Sequence, residues 1–250
     1  MLLIVFVFGL LIGSFLNVCI YRIPRNESIA FPGSHCTACG EPIKAFDLIP
    51  VVSYLLLRGK CRMCKAPISI RYPVVELVTA ALITIEAWRY GITAEFLCFA
   101  AMTAVLVVIT MIDLDLQIIP DRLIVVLGIL ALVYIFLVKF PLYGTRTLYS
   151  SAIGFLVGGL FFLGIAIVSN GGMGGGDIKL MAVLGLWFGW QQLLVLMFVT
   201  FISGALISIT LLLLKLKKMK DGIPFGPFIA FAAYIVSIFG TGIIVWYLNI

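Results

Sequence analysis

An all-α, polytopic membrane protein with about eight transmembrane helices and a small cytoplasmic zinc-binding loop domain is the fold class that this sequence predicts. Three observations predict it. Of the 250 residues 63% are hydrophobic and only 11% charged, with a mean hydropathy of +1.23. Apolar runs of about 18 residues or more, enough for a helix to cross a bilayer, recur along the chain. One extended polar segment, 23–72, interrupts them and carries two C-x-x-C pairs.

In order, helices are expected near 1–22, 73–90, 95–112, 122–140, 147–168, 178–190, 191–214 and 224–248, the sixth being short for a full span. The opening run lacks the basic n-region of a secretory signal, since Arg22 and Arg25 follow it, so it reads as a retained first helix with its N-terminus outside. Eight spans from there put 23–72, 113–121, 169–177 and 215–223 in the cytoplasm. Lys and Arg agree with that placement. Fourteen of the 17 fall on the cytoplasmic side, and only Arg89, Lys139 and Arg146 on the other. The formal charge of +6 is therefore mainly a topology signal, and a nucleic-acid surface is the weaker reading. The resulting division is a first helix, 1–22, a cytoplasmic Cys₄ segment, 23–72, and a transmembrane region, 73–250.

The pairs Cys36/Cys39 and Cys61/Cys64, separated by 21 residues, sit in the knuckle-like settings "CTACG" and "CRMCK". Two thiolates three apart can bind one metal from a tight turn, and two such turns complete a tetrahedral Cys₄ shell. Disulfides or a redox dithiol are the rival reading, but the loop is placed in a reducing compartment and four paired cysteines exceed what a dithiol needs. A closed shell leaves no open position, so zinc here folds the loop and does no chemistry. His35 reads as a solvated loop side chain. Cys19 and Cys98, in apolar helices, read as small hydrophobes.

Eleven acids remain to be explained. Glu27, Glu41 and Asp47 belong to the polar segment and Asp221 to the lysines of the last loop. Glu86 and Glu95 are interfacial, while Glu76, just inside the second helix, can also shape a substrate or cofactor site. Four stand at the membrane face: Asp113, Asp115 and Asp121 in "ITMIDLDLQIIPDRL", and Asp177 after the glycine run "GGMGGGD". Ionisable residues there are functional candidates. The third helix runs outside-to-in and ends at Asp113; the sixth runs inside-to-out and starts around Asp177, so the two acids share one depth. The glycines disfavour helix interior but allow positive φ and close backbone approach, letting Asp177 sit beside a neighbouring helix. Two close carboxylates share a proton: the ionised one activates a water, and the protonated one polarises a carbonyl and later protonates the leaving amine. A flexible linker explains neither the acid nor the helix that follows, and the phosphate-loop pattern is absent. By pattern alone a transporter ion site stays beside this reading, although its helix breaks belong near the midplane in both halves of a repeat. A membrane thiol oxidoreductase would need its cysteines on the oxidising side.

Taken together, these motifs resemble the bacterial type IV prepilin peptidases, bifunctional leader peptidases and N-methyltransferases. "GSFLNVCIYRIP" (13–24) resembles the family's opening motif, 36–80 its zinc-binding segment, "IDLDLQIIPD" (112–121) and "GMGGGDIKLMAVLG" its two aspartate motifs, and "IPFGPFIAFAA" (223–233) the entry to its last helix. The second aspartate motif is the G-x-G-D signature, Gly174-Gly175-Gly176-Asp177. The resemblance implies a multi-pass enzyme of the bacterial inner membrane. It would cleave the basic leader of prepilins or pseudopilins after a glycine at the cytoplasmic face, then methylate the new N-terminal residue with S-adenosylmethionine. It further implies Asp113 and Asp177 as the catalytic pair, with Asp115 in reserve for the first, and Cys36, Cys39, Cys61 and Cys64 as zinc ligands. No residue is assigned to the S-adenosylmethionine site, and no oligomeric state is implied.

Overall fold

The computed structural model describes residues 1–170, 172–216 and 222–248, and divides into two compact units, Met1–Phe96 and Leu97–Ile250. The described residues are helical and irregular, with two isolated antiparallel bridges and no strand.

In the first unit, α1 (Leu2–Arg22) lies against α3 (Arg71–Tyr90). The glycines of "GLLIG" make that packing close. A Cβ on Gly9 would stand 2.6 Å from the Cα of Ala80, and one on Gly13 the same distance from the Cα of Glu76. Small residues four apart thus let two backbones meet, as expected where lipid removes the hydrophobic drive between helices. Asn17 ties the pair further, its amide donating to the Gly13 and Tyr72 carbonyls. Between the two helices runs the polar segment, with the short α2 (Val52–Leu56).

The second unit contains most of α4 (Ala94–Leu116), then α5 (Asp121–Tyr134), α6 (Phe140–Tyr143), α7 (Thr145–Val168), α8 (Gly175–Phe188), α9 (Trp190–Leu213) and α10 (Gly226–Leu248). A π-turn over Ile135–Lys139 joins α5 to α6 just before Pro141, where the helix ladder lacks a donor. Gly154 and Gly158 of α7 meet α8 backbone to backbone. A Cβ on Gly158 would come within 2.6 Å of the Met181 carbonyl, and Gly154 faces Gly185 even more closely.

All eight expected helices are present, and six described ones are long and apolar enough to cross a membrane. The other two are α3, which carries Arg71, Glu76, Glu86 and Arg89, and α8, with 14 residues. The helix ends of the second unit sort into two groups. At one end Lys139 donates to the last carbonyls of α8, those of Trp187 and Phe188. At the other, the start of α10 meets Asp113 and Lys179 meets Asp121. This is the alternation that a chain crossing back and forth requires.

Candidate active site and metal centre

The α4 helix does not stop at Asp113, as the charge pattern predicts; it runs one more turn to Leu116 and closes at Gln117, in the left-handed region at φ 54, whose N–H returns to the Asp113 carbonyl. Asp113 is consequently a wall residue of the helix and continues the buried stripe of Met102, Leu106 and Ile109. Only 5% of it is exposed. Its Oδ2 accepts the Gly226 N–H at 2.9 Å, so the first residue of α10 spends an otherwise unpaired helix-end donor on this carboxylate. A Cβ on Gly226 would lie 2.7 Å from that oxygen, so glycine alone lets backbone and carboxylate meet. Asp115, two residues on, faces the other side of α4 and is exposed.

Asp177 stands at the third position of α8, half-buried. Its carboxylate reaches back to the Gly174 N–H and lies within electrostatic reach of Asp113. Two acids 64 positions apart in sequence are therefore neighbours within one unit. The glycine run achieves this differently from expectation: none of its described members has a positive φ. Gly175 and Gly176 are the first turn of the helix, and the benefit is steric. A Cβ on Gly176 would stand 2.8 Å from the Ile119 Cβ, so the missing side chain lets α8 start against the α4–α5 connection. Gly171 lies outside the described residues. Asp121 pairs with Lys179 across the same end, at 2.7 Å and largely exposed, while the Gln117 amide donates to the Gly222 carbonyl. Asp221 is outside the described residues.

The four cysteines converge. Their sulfurs lie within 4.8 Å of one another, with Cys36 and Cys64 at 3.8 Å. A tetrahedral zinc with bonds of about 2.3 Å separates its sulfurs by roughly 3.8 Å. The two knuckles repeat one design: Cys36 and Cys61 each exchange backbone bonds with the fourth and fifth residues on, and Gly40 and Lys65, at matching positions, both take positive φ. The amides of Cys39 and Ala38 hold the Cys36 thiol down at about 6. The Glu41 amide also favours the Cys39 thiolate, but desolvation and the neighbouring Cys64 and Cys36 outweigh it and hold Cys39 up at about 11. Crowded thiols of this kind ionise together only around a cation, so the donor set fits zinc. His35 is exposed, its Nδ1 beside the Gly33 carbonyl. Asp47 forms a two-bond pair with Arg62, which holds its carboxyl below the usual range.

Sequence reasoning missed Gly226 as a partner of Asp113 and Gln117 as a brace. The glycine inside "FGPF" at a helix start was the available signal. It also missed Val51, at φ 61, whose N–H binds Glu76 at 2.8 Å.

Two family models match the chain: the bacterial peptidase A24 N-terminal domain over residues 7–90 and the type IV leader peptidase family over 100–209. Proteins named prepilin leader peptidase/N-methyltransferase are similar over nearly the whole chain. One from Pseudomonas putida is 36% identical over 95% of this chain and 90% of its own. One from Aeromonas hydrophila is 37% identical over 98% and 93%, and one from Bacillus subtilis 35% identical over 100% and 98%. No solved structure matches.

Proposed function

The chain belongs to the type IV leader peptidase family and is a membrane peptidase and N-methyltransferase; we propose that it cleaves the basic leader of type IV prepilins or pseudopilins after a glycine, using Asp113 and Asp177. The observation that carries this reading is the nearness of two carboxylates from helix ends remote in sequence, one buried and held by a helix N-terminal amide. In this mechanism the pair holds one proton. The ionised acid draws a proton from a water as it attacks the scissile carbonyl, and the protonated acid stabilises the developing oxyanion. That acid then delivers its proton to the leaving amine, completing hydrolysis with no covalent intermediate. Catalysis takes place at the cytoplasmic face of the bacterial inner membrane, where a substrate's apolar helix leaves the bilayer and its leader begins. The 14-to-3 distribution of Lys and Arg supports this orientation.

The new N-terminal residue, usually phenylalanine, is then methylated. S-adenosylmethionine supplies the methyl group: the amine nitrogen takes it, the sulfonium leaves as a neutral thioether, and a proton passes to solvent. Zinc, held by Cys36, Cys39, Cys61 and Cys64, fixes the fold of the loop. The test is one incubation of the purified protein with a prepilin and S-adenosylmethionine, followed by the intact mass of the product. The reading predicts loss of the leader and gain of one methyl; an uncut substrate contradicts the peptidase half and an unmethylated product the other.

A further inference from the structure

The segment between α1 and α3 carries a face that does not suit water. In α2, Val52, Leu55 and Leu56 recur at the i, i+3, i+4 spacing of one helix face and are 48%, 66% and 77% exposed. Phe46, Leu48 and Ile49, just ahead of the helix, are exposed as well. The opposite face of α2 is turned inward, where Ser53 is buried and its hydroxyl donates to the Ile49 carbonyl at 2.7 Å. An exposed apolar patch of this extent marks a contact surface.

The depth of the patch decides what it meets. The Val51 N–H is bonded to the Glu76 carboxylate at 2.8 Å, and Glu76 also takes a hydrogen bond from Ser14, so the start of α2 is pinned to the middle of α1. A Cβ on Gly13 would stand 2.6 Å from the Glu76 Cα, which sets these residues at one level of the helix pair. The α1 helix is long and apolar enough to cross a membrane, and from Ser14 it runs roughly 12 Å further to Arg22 at 1.5 Å per residue. The hydrocarbon of one leaflet is about 15 Å deep. With Arg22 at the headgroups, the pinned end of α2 therefore lies inside the leaflet. The local chain meets the demands of that depth. The N–H groups of Val51, Val52, Ser53, Leu55, Leu57 and Arg58 all have acceptors within the unit. Arg58 and Gly59, both at positive φ, then turn the chain, and Lys60 follows. Between Asp47 and Glu76 the sequence holds five basic residues and no acid.

We propose that α2 is a re-entrant membrane anchor: Val52, Leu55 and Leu56 are immersed in the acyl chains of the cytoplasmic leaflet, and Arg58 and Lys60, where the chain leaves it, bind anionic phospholipid headgroups. Long basic side chains lay their stems along apolar surface and carry their charge to the phosphates. The two cysteine knuckles are thereby held at the membrane surface. This anchor uses the crossing of α1 and the orientation given above, and is independent of the peptidase and methyltransferase chemistry.

The test uses the full-length protein in nanodiscs of phosphatidylcholine, with and without phosphatidylglycerol. Leu56→Cys is labelled with bimane, the unsubstituted protein is carried through the same labelling as background, and the fluorescence is quenched by lipid bearing a nitroxide on its acyl chain or by iodide in the water. Leu55→Cys gives a second probe of the same face. Strong quenching by the lipid nitroxide and weak quenching by iodide is expected at both positions, with zinc content equal to that of the unsubstituted protein. Quenching by iodide alone puts the face in water, and quenching by neither puts it against protein; either result overturns the anchor. When Arg58→Gln and Lys60→Gln are added to Leu56→Cys, the extra lipid quenching that phosphatidylglycerol brings should be lost. An equal response to phosphatidylglycerol with and without those two substitutions, or none in either protein, overturns the headgroup assignment.

Discussion

The chemistry attributed to Asp113 depends on a neighbour that has no side chain. Gly226 brings a helix-end N–H to 2.9 Å from the carboxylate, and the space where its Cβ would sit is already filled by that carboxylate. Gly226→Ala should therefore push the two apart, at an overpacking cost of about 1–3 kcal/mol. Leader cleavage in that variant should fall more steeply than thermal stability. Equal loss of both would make Gly226 a packing residue only. Asp113 and Asp115 separate on the same geometric ground. Two residues along an α-helix turn a side chain through roughly 200°, so one acid joins the buried stripe and the other faces away. That distinction was hidden in the sequence, because α4 is apolar on every side and shows no stripe until its neighbours are in place.

The elements around the pair are held by close backbone packing and by capped ends. Gly154 and Gly158 of α7 set the position of α8, and Lys139 closes the far end of α8 on the Trp187 and Phe188 carbonyls. Gly158→Leu should displace α8, lower the unfolding temperature and reduce leader cleavage, because Asp177 travels with that helix. Gly128→Ala, where a Cβ meets nothing within 4 Å, should change stability by no more than about 1 kcal/mol. Similar losses from both would mean that α7 does not position α8. In the zinc loop, Cys36→Ser removes one of four converging sulfurs, and metal analysis of the purified variant should show zinc lost. Unchanged zinc would contradict the ligand set.

At the scale of the whole molecule, the order of the helices was legible from hydropathy, and the knuckles from cysteine spacing, since both signals are local. Helix ends were less so. The chain continues α4 past Asp113 because two acids at a membrane face do not by themselves stop a helix; Gln117 in the left-handed region does. The glycine run was legible as a place of close approach, while its helical φ values were not, because a first helical turn needs no internal hydrogen bond and tolerates glycine there. The contact of the Val51 N–H with Glu76 was out of reach, since it forms only when α3 and the loop ahead of α2 come together.

The central claim is that Asp113 and Asp177 act as one catalytic pair, and the most direct measurement is the rate of prepilin cleavage by Asp113→Asn, Asp177→Asn and Asp115→Asn, each purified at wild-type yield. The account predicts losses of about 10²–10⁴-fold for the first two, the scale of a missing acid–base group, and cleavage close to wild type for the third. Near-normal cleavage by Asp113→Asn or Asp177→Asn, or its abolition by Asp115→Asn, would contradict it.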